Sequence, residues 1–441
     1  MLLQAAPHGA LEGVAAIPGD KSMSHRALLL AALAVGESRI TGLLEGADVM
    51  ATAGALRALG ASVTRQADGS WTVLGCGVAG LAEPADVLDL GNAGTGVRLL
   101  MGPLAGHGFT TFLSGDASLR SRPMRRVTDP LVAMGASVLH RSGGRLPLAI
   151  TGRNDLVPIT WRSPVASAQI KSAVLLAGLH APGRTTVIEP AASRDHTERM
   201  LSAMGARVTS VADEDGSWRV AIEGEAELAP QDFPVPADPS SAAFPMVAAL
   251  LAPGSSLTLP GISINPLRAG LLTTLREMGA GLELANERNV AGEPVADLHL
   301  GAGPLEAVDV PAARAPSMID EYPVLAVAAA FARGTTRMRG LAELRVKESD
   351  RLDAMAKGLA AAGVEVAVEG DDLLVTGPVR STRATRIDAR HDHRIAMSFL
   401  VLGGLGTAPV TVAGAETILT SFPGFAELMN RLGADLSVVE P

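Results

Sequence analysis

One short arrangement of apolar and polar positions recurs six times along the 441 residues. It runs apolar, two variable positions, apolar, Gly, small, variable, then Val or Leu. The copies are Leu56–Val63, Leu131–Val138, Leu201–Val208, Leu275–Leu282, Leu359–Val366 and Met429–Leu436. Their glycines, Gly60, Gly135, Gly205, Gly279, Gly363 and Gly433, stand 75, 70, 74, 84 and 70 residues apart, so the repeat fills the chain. Each copy predicts a helix end followed by a strand. The two apolar residues at i and i+3 share one helix face, and the glycine supplies a left-handed cap. Turns at Asp68-Gly69, Gly143-Gly144 and Asp215-Gly216 then predict hairpins, with second strands such as Trp71–Leu74 and Trp218–Ile222.

Units of this length are too small for independent ordinary domains, and grouping them three and three predicts two α/β domains. The Pro- and Ser-rich stretch Asp232–Pro245 reads as a crossover, and a second near Pro18-Gly19-Asp20 returns the N-terminal segment. The expected domains are therefore residues 1–19 with 238–441, and residues 20–237. The longest apolar runs, Ala27–Val35 and Val324–Ala332, are too short to cross a membrane.

Composition narrows the function. Hydrophobic residues make up 47% of the chain, which excludes a disordered one. Aromatic residues at 3% and a net charge of −9 argue against nucleic acid or an anionic membrane as partner. The single cysteine, Cys76, excludes a disulfide framework and Cys-based metal centres. It fits a reducing compartment, and no Lys or Arg precedes Lys21 as a secretory or transit segment would require, so a cytoplasmic protein is expected.

In so acidic a chain, local groups of cations stand out. Lys21-Ser22-Met23-Ser24-His25-Arg26 follows Pro18-Gly19-Asp20 and opens an apolar helix. Lys21, Ser22 and Arg26 offer a point charge, a hydroxyl and a fork to one phosphate, although a plain solvated helix start uses the same residues. Gly91-Asn92-Ala93-Gly94-Thr95-Gly96 opens another helix and lets a ligand approach backbone amides, or is simply a glycine-rich turn. Arg120, Arg122, Arg125 and Arg126 crowd seven residues, and Arg122, before Pro123, sits at a turn from which it can point into a cleft. Ser167-Ala168-Gln169 with Lys171, and Arg194-Asp195-His196, open further helices as caps or as site groups. Asp320 marks a helix entry, and Lys347 and Arg351 are expected on one face of a second helix start that includes Glu348. Carboxylates beside Lys and Arg suit proton transfer near an anionic substrate, and equally an ordinary surface ion-pair network. His391-Asp392-His393-Arg394 lacks a third ligand cluster for a metal, so Arg394 reads as another anion fork. Gathered into one cleft, these cations would take a small polyanion.

These segments, in order, resemble the 3-phosphoshikimate 1-carboxyvinyltransferase family, the 5-enolpyruvylshikimate-3-phosphate synthases. The likeness runs through PGDKSMSHR, LGNAGTGVRLL, LRSRPMRRV, ASAQIKSAVLLAGL, SRDHTE, DPSSAAFP, SMIDEYP, LRVKESDRL, HDHRIAMSF and TSFPGF, and covers essentially the whole chain. The ASAQ and SRDHTE variants look like the second bacterial class. The resemblance implies an inside-out α/β barrel in each of two domains, built from six βαβαββ repeats, three per domain, with the active site in the cleft between them. It implies a monomer, no cofactor and no metal. Lys21, Ser22, Arg26, Ser167, Ala168 (through its backbone), Gln169, Arg194, Asp320 and Lys347 would bind shikimate 3-phosphate. Lys21, Gly94, Arg122, Gln169, Arg351 and Arg394 would hold phosphoenolpyruvate. Asp320, Glu348 and Lys21 would be catalytic: Asp320 takes the proton of the substrate 5-hydroxyl, and Glu348, helped by Lys347, protonates the methylene carbon.

Two positions bear on inhibition. Many members carry Lys where this chain has Thr420, whereas Gly94 leaves room for a phosphoenolpyruvate mimic, so sensitivity to glyphosate is expected. The rival with the same donor, a UDP-N-acetylglucosamine enolpyruvyl transferase, usually uses a reactive loop cysteine, and Cys76 lies beside a strand instead. An RNA-end cyclase or a non-catalytic nucleic-acid-binding repeat protein would need a basic face and a nucleotide site, and the acidic balance and few aromatics argue against both.

Overall fold

The structure, a computed structural model, describes residues 1–440. They form six four-stranded sheets, and all six share one topology. The sheet of residues 88–151 shows it without interruption. Leu88–Asp89 pairs in parallel with Thr110–Ser114, which pairs antiparallel with Arg145–Thr151, itself paired with Ser137–Arg141. One helix, Gly94–Ala105, joins the parallel pair, and a second, Arg125–Ala133, precedes the hairpin, so the unit is βαβαββ. Three sheets are completed by distant segments. Asp232–Pro234 supplies the parallel edge beside Val35–Thr41, Glu12–Val14 does so for Ser256–Ser263, and Leu2–Ala6 lies between Val410–Ala413 and Asp435–Val439.

The described chain divides into two compact units, residues 1–18 with 236–288 and 294–440, and residues 19–235 with 289–293. Asn289–Glu293 belongs to the second unit because Glu293 and Gly292 bond to its helix His196–Ala203. His196 Nδ1 lies 2.7 Å from Glu293 Oε1, and Arg199 donates to Gly292 O at 2.9 Å.

Two kinds of helix follow from two kinds of sequence. The first helix of each repeat is apolar nearly all round and is buried: Lys21–Leu33, Gly94–Ala105 and Ala168–Gly178 in one unit, Pro239–Leu251, Tyr322–Phe331 and His393–Leu405 in the other. Small residues let these helices approach closely; a Cβ on Gly102 would meet Ala173 O at 2.5 Å. The sheets wrap them, burying one face and exposing the other as the alternation in Arg145–Thr151 requires. This is the inside-out α/β arrangement. The second helix of each repeat is the amphipathic one that ends in the recurring motif. Its two apolar residues are buried in every copy, and its six glycines take φ of 98°, 116°, 95°, 88°, 91° and 115°, a conformation that a side chain would strain.

The Pro-rich midpoint contains the passage from one unit to the other, at residues 235–236, but its second half is helical. Only Asp232–Pro234 and the residues just after it are extended, and Pro239–Pro245 is the first half of a buried helix. Proline is tolerated at the first helical position, where its missing N–H has no partner, and Asp238 caps the helix by accepting from Ser240 N at 2.8 Å.

Candidate active site

In each unit the N-terminal ends of the three inner helices meet, which gathers unpaired N–H groups and the positive ends of the helix dipoles. In the second unit, Asp20 caps Lys21–Leu33 by accepting from Met23 N at 2.8 Å. Lys21, one turn before His25, pairs with the buried Asp48, and His25 Nδ1 lies 2.9 Å from Thr52 Oγ1. Two rungs with i, i+4 spacing on both helices thus fix the ammonium. Burial, and secondarily the Lys21 and Arg26 charges, lower the His25 pKa to about 3, so this imidazole stays neutral. Arg26 is buried and donates to Thr197 Oγ1 at 2.7 Å, Ser172 Oγ at 2.9 Å and Ser22 O at 3.0 Å, tying three helix starts together below the half-buried Ser22.

Gly94 begins the second inner helix against Arg122. A Cβ there would stand 2.6 Å from Arg122 Nη1 and 3.1 Å from Arg98 Nη1. Arg122 is extended before Pro123, as the following proline demands, and is only 5% exposed. Its Nη2 donates to Asn92 Oδ1 and, at 3.1 Å, to Ser118 Oγ. Gln169 joins the third helix to the second by donating to Thr95 Oγ1 at 3.0 Å. Ser167 holds the cap position before Ala168 without capping through its side chain. Arg194 is half-buried just before the helix His196–Ala203.

In the first unit, cations crowd one carboxylate. Asp320 Oδ1 lies 3.1 Å from Arg351 Nη1, 3.4 Å from Lys347 Nζ and 4.0 Å from Arg394 Nε. Arg351 is fully buried among Asp320, Glu348 (2.5 Å) and Asp392 (2.8 Å). Burial works against its charge, but Asp392, Glu348 and Asp320 outweigh burial and raise its pKa. Lys347 is not on a helix, contrary to the expectation of a face shared with Arg351. It is extended after the short turn Ala342–Val346, and the helix begins at Arg351, capped by Asp350, which accepts from Asp353 N at 3.0 Å. Lys347 and Arg351 meet at Asp320 through tertiary packing, not through helical spacing.

Asp392 was legible only as part of a candidate metal motif, yet it organises this half. Fully buried, it accepts from Arg351 Nε, from Ser349 Oγ at 3.0 Å and from Arg394 N at 3.0 Å, capping the helix that presents Arg394. Asp48 and Glu189 carried no sequence signal at all. Among the described residues, Asp195, His196 and Glu293 bring ligand-type atoms within 4.8 Å of one another. Asp195 is occupied by Arg199 at 2.7 Å and His196 by Glu293, an arrangement that hydrogen bonding accounts for. No helix among the described residues is long and apolar enough to cross a membrane.

This fold is that of the enolpyruvyl transferases. The solved enolpyruvyl transferase NikO from Streptomyces tendae shares the fold, with a TM-score of 0.78 at 21% identity over 99% of this chain and 98% of that one. The chain belongs to the EPSP synthase (3-phosphoshikimate 1-carboxyvinyltransferase) family, whose profile matches residues 5–429. It is 61% identical to the 3-phosphoshikimate 1-carboxyvinyltransferase of Paramagnetospirillum magneticum, over 98% of this chain and 97% of that protein. It is 60% identical to that of Rhodospirillum rubrum, over 97% and 96%. A solved EPSP synthase from Acinetobacter baumannii superposes with a TM-score of 0.86 at 42% identity, covering 99% of this chain and all of that one.

Proposed function

We infer that this chain transfers the carboxyvinyl group of phosphoenolpyruvate to the 5-hydroxyl of shikimate 3-phosphate, releasing phosphate, in the shikimate pathway of aromatic amino acid biosynthesis. The observation that carries the reading is family membership across nearly the whole chain. Both sets of helix ends serve one substrate pair. Lys21, Ser22, Arg26, Ser167, Ala168, Gln169, Arg194, Asp320 and Lys347 take shikimate 3-phosphate, and Lys21, Gly94, Arg122, Gln169, Arg351 and Arg394 take phosphoenolpyruvate.

The hydroxyl oxygen adds to C2 of phosphoenolpyruvate as Asp320 accepts its proton, and C3 gains a proton from Glu348 assisted by Lys347. The tetrahedral intermediate then loses a proton from C3 and expels phosphate. The packing around Asp320 supports these roles. Three cations stand within 4.0 Å of its carboxylate, and their charge opposes proton uptake there. Substrate carboxylate and phosphate compensate those cations, so the base strengthens only when its substrate is present. In the same way, Arg351 turning towards a substrate anion frees Glu348 to carry a proton. The cations also stabilise charge that develops in both steps. The reaction is cytoplasmic, the protein acts as a monomer on two small molecules, and glyphosate competes with phosphoenolpyruvate.

Phosphate release from phosphoenolpyruvate in the presence of shikimate 3-phosphate tests the reading, with Asp320→Ala as control. Release that needs the acceptor and collapses in the variant is expected. Release only with UDP-N-acetylglucosamine, or with neither acceptor, overturns it.

A further inference from the structure

Beneath the second unit's helix ends lies a buried ion cluster that the reaction does not touch. The Lys171 ammonium is fully buried, 2.7 Å from Glu198 Oε1 and 3.1 Å from Glu189 Oε2. Glu189 ends the strand Arg184–Glu189, and its carboxylate is also fully buried. Its Oε1 accepts from Ser167 N at 2.7 Å, and both its oxygens lie 2.8 Å from Ser193 Oγ. Lys171 Nζ in turn donates to Ser193 O at 3.1 Å. One carboxylate thus fastens two segments, the one entering the helix Ala168–Gly178 and the one leading to His196–Ala203. These segments carry Ser167, Ala168 and Gln169, and Arg194.

Taking a carboxylate out of water costs several kcal/mol, and an apolar filling of the same space is often no less stable. Such a group earns its place where it sets geometry. We infer that Glu189 is a positioning residue for shikimate 3-phosphate: through Ser167 N and Ser193 it sets where Ser167 and Arg194 meet that substrate. Of the groups assigned to phosphoenolpyruvate only Gln169 lies on these segments, and it is held separately by donating to Thr95 Oγ1 at 3.0 Å, while Gly94, Arg122, Arg351 and Arg394 lie outside them, so the effect falls on shikimate 3-phosphate. The inference rests on the proposed reaction.

The test is phosphate-release kinetics, varying each substrate at saturation of the other, together with calorimetric binding of shikimate 3-phosphate and thermal unfolding. Glu189→Met keeps the volume, removes the acceptors and leaves Lys171 paired with Glu198, so no buried charge is stranded. The expected result is a KM for shikimate 3-phosphate raised about tenfold or more, with the KM for phosphoenolpyruvate within about twofold of wild type. Glu189→Gln, which keeps one carbonyl acceptor, falls between the two. Lys171→Met strands two buried carboxylates and lowers the unfolding temperature instead. Equal rises in both KM values, or an unchanged one for shikimate 3-phosphate in folded Glu189→Met, overturn the inference. If Glu189→Met does not fold, wild-type binding of shikimate 3-phosphate by Glu189→Gln overturns it. A wild-type protein that releases no phosphate overturns the proposed reaction, which an active wild type with an unselective variant leaves standing.

Discussion

Replacing Gly94 by alanine adds one methyl group where Arg122 already sits. The new Cβ would stand 2.6 Å from Arg122 Nη1, so the guanidinium must retreat by about 0.8 Å to reach an ordinary contact. It cannot do so freely, because the side chain is 5% exposed and anchored through Nη2 to Asn92 and Ser118. Arg98 Nη1, 3.1 Å from the same methyl, closes the other side. Losing one charge-assisted hydrogen bond costs about 1.5–3 kcal/mol. If Arg122 holds phosphoenolpyruvate, the KM for that substrate therefore rises about 10- to 100-fold. The KM for shikimate 3-phosphate stays within about twofold, since neither Arg122 nor Gly94 is among the groups assigned to it. Glyphosate inhibition weakens in Gly94→Ala at least as much as phosphoenolpyruvate binding does. The assay is phosphate release across a grid of both substrates, with and without glyphosate, and a thermal melt to exclude unfolding. A phosphoenolpyruvate KM within twofold of wild type in a folded variant would refute the argument, because it would mean that Arg122 neither moves nor matters.

Three further outcomes follow from the packing. Arg351→Met leaves Asp320, Glu348 and Asp392 facing one another without their buried cation and destabilises the fold by about 3–5 kcal/mol, measured by denaturant unfolding. Asp48→Asn removes the partner that fixes Lys21 and raises both KM values, since Lys21 is assigned to both substrates; an effect on one alone would separate those roles. His25, neutral in the fold with a pKa of about 3 but near 6.5 when unfolded, binds more protons in the unfolded state between those values. Its contribution is therefore complete above about pH 6.5 and lost as pH falls towards 3, about 2 kcal/mol of it between pH 7 and 5. Unfolding free energies of wild type and His25→Gln at the two pH values should show that difference, and parallel losses would refute it.

The sequence by itself determined the repeat. A glycine forced to positive φ after a helix, with two apolar residues on the preceding turn, is a local requirement, and local requirements are written in adjacent residues. For the same reason the helix openings at Lys21, Gly94 and Ser167 were legible, as was a non-helical Arg122 before its proline. Family resemblance supplied the candidate roles. The tertiary structure alone decided what holds those groups. Lys347 reaches Asp320 from an extended segment, not from the helix that its i, i+4 spacing with Arg351 suggested. Asp48, Glu189 and Asp392 pair with cations 27, 18 and 41 residues away, at Lys21, Lys171 and Arg351. A buried carboxylate and an exposed one are the same letter, and only packing decides which of them loses its water and must find a partner.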